Sequence, residues 1–212
     1  MVADALVSRA GKIAVSNVSD CMTRLFSAPA AIRPMHDGTP MAGVAITVRS
    51  RPGDNLLLHK ALDIAGPGDV IVCDGGGDLT NSLIGELMLS YAAKRRIAGV
   101  VINGAIRDAG AVRKMSLPVF AAGVTHRGPY KDGPGEINTA IAIGDMVVTP
   151  GDLVLGDDDG VLCIPYDDVE AVVAAAEKKQ AAEAKTIDDI AKGTWDRAWI
   201  DVALGKLGCV TE

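Results

Sequence analysis

"VIVCDGGGDLTNSLIGELM", residues Val70–Met88, decides how the chain is read. An apolar, β-branched run closes on Cys73 and Asp74, three glycines follow, and the residues after them have helical spacing. A short apolar run bounded by turn residues reads as a buried strand, so the segment predicts strand, turn and helix.

The same succession repeats on either side. Upstream, "GVAITVRS" (Gly43–Ser50) reads as a strand, "RPGDN" as a break, and "NLLLHKALDIA" (Asn55–Ala65) as a helix that "GPGD" ends. Downstream, a helix is expected from about Thr80 to Arg96, then a strand "GVVIN" (Gly99–Asn103). A short helix from about Asp108 to Met115 and a strand "PVFAAGV" (Pro118–Val124) complete the series. A further short helix is expected near Ser19–Phe26. Strands alternating with helices define an α/β unit with parallel pairing and right-handed crossovers. From Ile137 the rhythm changes to three or four short strands separated by Gly, Pro and Asp, which is antiparallel or barrel-like behaviour. The tail, "YDDVEAVVAAAEKKQAAEAKT" and then about Thr194–Leu207, reads as helices, with Asp167 or Asp168 as N-cap. The simplest organisation is one domain over 1–212, with a core at about 43–165 and a C-terminal helical arm at about 166–212.

With 212 residues the chain is long enough to bury a pocket, and a 3% aromatic content leaves the core to Val, Ile, Leu and Ala. The net charge of −6 is dispersed, and "KRR" (Lys94–Arg96) reads as charge at a helix end, so no nucleic-acid face is expected. Cys21, Cys73, Cys163 and Cys209 form no CxxC pair, which fits a reducing compartment and suggests neither a zinc site nor a disulfide framework. No apolar stretch approaches the ~18 residues of a membrane span. A cytoplasmic protein with no membrane partner is expected.

The three glycines invite comparison with a dinucleotide fingerprint, but the third glycine position of G-x-G-x-x-G falls on Thr80, and no phosphate-loop Lys follows. A more pointed constellation is Gly85-Glu86-Leu87-Met88 with Arg107-Asp108, both near the carboxyl ends of neighbouring strands, where open α/β sheets bind ligands. Amides beside a glycine can receive a carboxylate, an Arg can clamp it, and an Asp can hold a hard divalent cation. An ordinary surface ion pair at a helix start remains the alternative for Arg107 and Asp108.

"GPGDVIVCDGGGDLTNSLIGELM", "AGVVINGAIRDAGAV", "HRGPYKDGPGEIN" and "VTPGDLVLGDDDGVLCIP" resemble the RraA-like family. The branch they resemble is its metal-dependent 4-hydroxy-4-methyl-2-oxoglutarate / 4-carboxy-4-hydroxy-2-oxoadipate aldolases. The family signature is an acidic residue, twenty intervening positions and Arg-Asp, and here twenty residues separate Glu86 from Arg107. The resemblance implies a swivelling β/β/α architecture, with trimers or paired trimers and a pocket between subunits. It also implies that the backbone of Gly85, Glu86, Leu87 and Met88 contacts pyruvate, that Arg107 binds substrate and that Asp108 binds the metal, Arg107 and Asp108 being the catalytic pair.

Cleaving a 4-hydroxy-2-oxo acid leaves a pyruvate enolate whose charge needs an electrophile. A Mg²⁺, Mn²⁺ or other divalent ion supplies one as a Lewis acid. Loss of CO₂ from oxaloacetate gives the same enolate, so decarboxylation is an expected side activity. The base for the 4-hydroxyl is expected to be a water or hydroxide on the metal. Secondary candidates are His59, with a structural role as alternative, and Asn55, as ligand contact or, preferred, N-cap. Lys131 is a candidate for a second carboxylate, with its loop as a mobile subunit contact the alternative, and Asp74 and Asp78 for places around the metal. "GDDDG" (Gly156–Gly160) reads as a hairpin turn. The competing function is a non-catalytic regulator that binds ribonuclease E. A methyltransferase would need a nucleoside pocket, which the failed glycine fingerprint does not support. The C-terminal helices favour the aldolases, and a carboxylate there, such as Glu183, is a candidate to complete a neighbouring subunit's site.

Overall fold

The computed structural model describes residues 2–209. Two short helices, α1 (Asp4–Ala10) and α2 (Val15–Asp20), precede a two-residue strand β1 (Arg33–Pro34). The strand–helix alternation then runs β2 (Met41–Ser50), α3 (Leu56–Ile64), β3 (Asp69–Asp74), β4 (Ser82–Ile84), α4 (Glu86–Lys94), β5 (Gly99–Ile106), α5 (Ala109–Val112) and β6 (Val119–Val124). Short strands follow as β7 (Gly135–Ile137), β8 (Ile141–Ile143), β9 (Met146–Val148), β10 (Leu153–Asp157) and β11 (Gly160–Ile164). After a 3₁₀ turn at Tyr166–Asp168 come α6 (Val169–Lys192) and α7 (Ala198–Leu207).

The main sheet has the order β1-β6-β5-β3-β2-β10-β11, with β4 added beside β5 and β7 beside β2. Its centre is parallel, β2 on β3, β3 on β5 and β5 on β6, and its flanks are antiparallel. The two ends curl toward each other: the Arg33 guanidinium donates to the carbonyls of Asp158 and Asp159 in the β10–β11 turn, and the Ala28 amide donates to the Val161 carbonyl. A nearly closed, barrel-like sheet with helices against it results.

Strand alternation sorts the core. Ile71, Cys73, Val100 and Ile102 pack with Leu58, Leu62, Leu89 and Ala92 of α3 and α4. Their neighbours Val70, Val72 and Val101 point to the opposite face, against Met41, Phe120, Ile141 and Met146. A third cluster joins α1 and α2 to β10, β11 and the first turns of α6 through Val169, Val173 and Ala176. By their contacts the residues divide into two units, one up to Ala176 and one from Glu177 onward, so the first two turns of α6 belong to the first unit. Among the described residues no helix is long and apolar enough to cross a membrane.

Two local expectations change, and one segment gains an element. The helix expected from Thr80 begins only at Glu86, because Ser82, Leu83 and Ile84 are buried and pair with β5 as a strand. The N-terminal helix lies at Val15–Asp20, earlier than Ser19–Phe26, and Thr23 and Arg24 take left-handed backbone angles incompatible with a continuing helix. "HRGPYKDGPGEIN" contributes a strand, β7, that pairs antiparallel with β2. The "GDDDG" segment is the β10–β11 hairpin turn, closed by the Asp157–Gly160 pair.

Phe120 is fully buried and meets His36 edge to face at 5.2 Å. Phe120→Ala is expected to cost about 4 kcal/mol in urea unfolding, the usual price of an emptied aromatic site. A loss below about 1 kcal/mol would show that this face of the sheet repacks freely.

Candidate active site

Strand β4 positions the site. It runs parallel beside β5, and the Arg107 amide donates to the Ile84 carbonyl at 2.9 Å, so the chain leaves β4 alongside the turn after β5. Gly85 is extended there (φ −153°, ψ −169°). A Cβ on it would stand 2.5 Å from Asp108 Oδ2 and 2.7 Å from Arg107 Cγ, so only glycine admits this approach.

Asp108 has left-handed backbone angles (φ 58°, ψ 32°), which Asp tolerates better than most side chains. Its Oδ2 accepts the Glu86 amide at 3.0 Å, setting a carboxylate on the N-terminus of α4, where the helix dipole favours it. Arg107 Nε lies 3.6 Å from the same oxygen. These side chains are 42% and 41% exposed, so the pair adds little to stability and chiefly orients the guanidinium.

Beside this cradle is a cavity of about 230 Å³. Leu83, Ile84 and Gly85 line it together with Leu87 and Met88 of α4, Asn55 and His59 of α3, Arg107, Ser82, and Pro129 and Lys131 from the loop before β7. Leu87 and Met88 belong to the first turn of α4, whose amides have no carbonyl four residues back within the helix. Among the described residues Lys131 has no carboxylate partner, and Arg107 has only Asp108. Partial burial, then the nearby Lys131 ammonium, push the His59 pKa below 6.5 against the pull of Asp63, so the imidazole is neutral at pH 7. The cavity thus sets apolar side chains and two cationic residues beside the first turn of α4, a setting in which a small organic anion can be bound.

The structure brings Gly85, Leu87, Met88, Arg107, Asn55, His59 and Lys131 to one cavity. Glu86 and Asp108 stand beside it without lining it, and the Glu86 amide is taken up by Asp108. Asp78 does not reach the cavity: its Oδ1 accepts the amide and hydroxyl of Thr80, which pull its pKa down. Asp74 is likewise a turn residue, accepting from Gly76 N and Asn103 Nδ2. The glycines before Asp78 wrap Asn103, whose carbonyl accepts both Gly75 N and Gly77 N. Asn55 makes no capping bond, and Asp54 Oδ1 accepts the Leu56 amide instead. Glu183 lies in the second unit, 3.1 Å from Lys179.

Among the described residues no three His, Cys, Asp or Glu side chains are grouped to hold a metal. Asp108 and Glu86, adjoining through the Glu86 amide, are two hard oxygen donors. That set suits Mg²⁺, which commonly takes one or two carboxylates and completes its shell with water and substrate oxygens.

Asp54 is a residue that sequence reasoning missed. It is 1% exposed, and its Oδ2 accepts the amides of Asp132 and Gly133 at 2.6 and 2.9 Å. Tyr130 N donates to Gly53 O and Asn55 N to Tyr130 O, so the loop carrying Pro129 and Lys131 is fastened to the start of α3. Burial opposes the Asp54 charge, but the three amides and Arg51 outweigh it and hold the carboxyl below 3.8. The signal available was the turn dipeptide Pro-Gly followed by Asp-Asn in "RPGDN".

Residues 15–163 match the RraA-like family, described as Aldolase/RraA, and the chain belongs to it. A Halalkalibacterium halodurans protein named "Putative 4-hydroxy-4-methyl-2-oxoglutarate aldolase" is 42% identical over 164 residues, 77% of this chain and 78% of that one. Two solved structures share the fold. A Pseudomonas syringae pv. tomato protein is 25% identical with a TM-score of 0.81, covering 91% of each chain. The RNA-processing inhibitor RraA from Thermus thermophilis is 31% identical with a TM-score of 0.67, over 72% of this chain and 92% of that one.

Asp54→Ala is expected to cost about 3 kcal/mol at pH 7, since it strips a buried charge from its amide partners. With its folded pKa below the unfolded value, Asp54 stabilises above about pH 4 and loses its contribution as pH falls through the folded pKa. Urea unfolding across pH 7 to 3 should therefore show the gap between wild type and variant closing at low pH. A gap that is constant with pH would remove the carboxylate from this role.

Proposed function

We propose that the chain is a divalent-metal-dependent pyruvate aldolase. In this reading it cleaves a 4-hydroxy-2-oxo acid, such as 4-hydroxy-4-methyl-2-oxoglutarate or 4-carboxy-4-hydroxy-2-oxoadipate, to pyruvate and a second oxo acid. The observation that carries the reading is the cavity lined by two cations, Lys131 without a carboxylate partner among the described residues and Arg107 paired only with the half-exposed Asp108, beside the Gly85–Asp108 cradle. Two cations in one cavity suit a ligand that carries more than one anionic group. The name of the Halalkalibacterium relative supports the same chemistry.

Arg107 and the Leu87 and Met88 amides receive the pyruvyl end. Lys131 takes the distal carboxylate, with neutral His59 beside it as a hydrogen-bonding partner. The hydroxyl proton goes to a base, the C3–C4 bond breaks, and C4 leaves as a carbonyl. The electron pair passes into the C2–C3 enolate, which is protonated at C3 to give pyruvate. A divalent cation held by Asp108 with Glu86 would act as a Lewis acid on the developing negative charge. Arg107 adds a fixed positive charge there, and removal of one such donor typically costs on the order of 3 kcal/mol. Leu83, Ile84 and Pro129 supply apolar walls for the carbon chain. Oxaloacetate decarboxylation follows from the same enolate. The exposed Leu87 and Tyr91, 81% and 44%, fit a trimer or paired trimer in which a second copy covers the cavity mouth.

The likeness to the Thermus RraA supports a second reading, a ribonuclease E regulator without catalysis. A coupled pyruvate assay separates the two. With Mg²⁺ the protein should release pyruvate from 4-hydroxy-2-oxo acids, EDTA should abolish release, and Arg107→Ala should lower kcat by about 100-fold with the fold intact. Undiminished activity in EDTA contradicts the metal assignment. Absence of release from every such acid, together with inhibition of ribonuclease E cleavage, would establish the regulator.

A further inference from the structure

We propose that Asn55 Oδ1 is the acceptor for the substrate's C4 hydroxyl, which makes Asn55 the residue that selects hydroxylated 2-oxo acids over those lacking the hydroxyl. The proposal rests on the aldolase reading of the same cavity.

Asn55 lines the cavity and is 3% exposed. Its Nδ2 donates to the Leu83 carbonyl at 2.9 Å and touches Met88 Sδ at 3.4 Å, while its backbone bonds the Tyr130 carbonyl and the His59 amide. Its Oδ1 is buried with no partner. Turning the amide over would set Oδ1 against the Leu83 carbonyl, two acceptors face to face, so the bond to Leu83 fixes which atom is left over.

The usual employment of an Asn oxygen at this position is not taken up. Asn55 stands at the N-cap of α3, where the side chain would accept from the second or third helical amide, and it makes no such bond. An unsatisfied buried carbonyl costs on the order of 1–3 kcal/mol, and such groups in native structures call for an explanation. A ligand that brings a donor is one.

The chemistry of the ligand supplies that donor. An ionised 4-hydroxy-2-oxo diacid carries two carboxylates and a keto oxygen, all acceptors, which match Arg107, Lys131 and the helix amides. Its hydroxyl is its one donor, and Asn55 Oδ1 is the complementary acceptor. The Met88 thioether meets the Nδ2 side of the same amide, which with the Leu83 carbonyl occupies the donor end and leaves Oδ1 as the atom without a partner. Asn55 does not take the proton. It holds the hydroxyl in place while the base removes it, and a substrate without that group leaves Oδ1 unsatisfied.

The test uses two reactions that share an enolate and differ in the hydroxyl: cleavage of 4-hydroxy-2-oxoglutarate and decarboxylation of oxaloacetate, each with Mg²⁺. In Asn55→Ala the ratio of the two kcat/KM values, cleavage over decarboxylation, should fall about tenfold to a hundredfold. Wild-type protein in EDTA supplies a readout that needs neither variant nor turnover: by calorimetry, 4-hydroxy-2-oxoglutarate should bind about tenfold tighter than 2-oxoglutarate. Equal affinities, or both reactions falling in parallel in the variant, overturn the proposal and leave the aldolase reading standing. A wild type that cleaves nothing yet prefers the hydroxylated acid, with the preference lost in Asn55→Ala, upholds hydroxyl recognition and overturns the aldolase reading.

Discussion

The bond from the Glu86 amide to Asp108 Oδ2, made across a glycine, organises everything around it. It joins the N-terminus of α4 to the turn after β5, two segments that are twenty-two residues apart in the chain. Asp108 must adopt left-handed backbone angles to present its carboxylate there, and Gly85 must lack a Cβ to let it arrive. The strain is local and the return is a fixed guanidinium beside the first turn of a helix. Half-exposed charges in a mobile loop would hold no such geometry, since surface ion pairs alone are worth little.

A second constraint closes the other side. The loop carrying Lys131 is rich in Gly and Pro, which does not by itself fix a conformation, and the buried Asp54 carboxylate ties it to the entrance of α3. The cavity is therefore framed by two carboxylates that do not line it. Asp108 orients the Arg107 side and Asp54 the Lys131 side.

Much of this was legible from the residues. The parallel β2, β3, β5 and β6 follow from apolar runs bounded by turn residues, and the four short strands β8 to β11 from the Gly, Pro and Asp punctuation after Ile137. Gly85, Arg107 and their spacing pointed to one place. What failed did so for tertiary reasons. Ser82–Ile84 carries no alternation and became a strand only because β5 offers it an edge, which delayed the helix to Glu86. Asp78 and Asp74 looked like candidates near a metal but are consumed by their own turn amides and hydroxyls. Asp54 and Asn55 are adjacent, and their exchange of the capping role depends on a loop some eighty residues on. Local propensity cannot weigh such a contact.

The central claim is that the Gly85–Asp108 cradle holds a pyruvyl group and stabilises its enolate. Deuterium incorporation into the methyl group of pyruvate in D₂O, followed by NMR with Mg²⁺ present, reports enolate formation without any second substrate. Wild-type protein should catalyse the exchange and Gly85→Ala, whose Cβ displaces Asp108 and Arg107, should lose it while remaining folded. Absence of exchange in the wild type, or an undiminished rate in Gly85→Ala, would contradict the account.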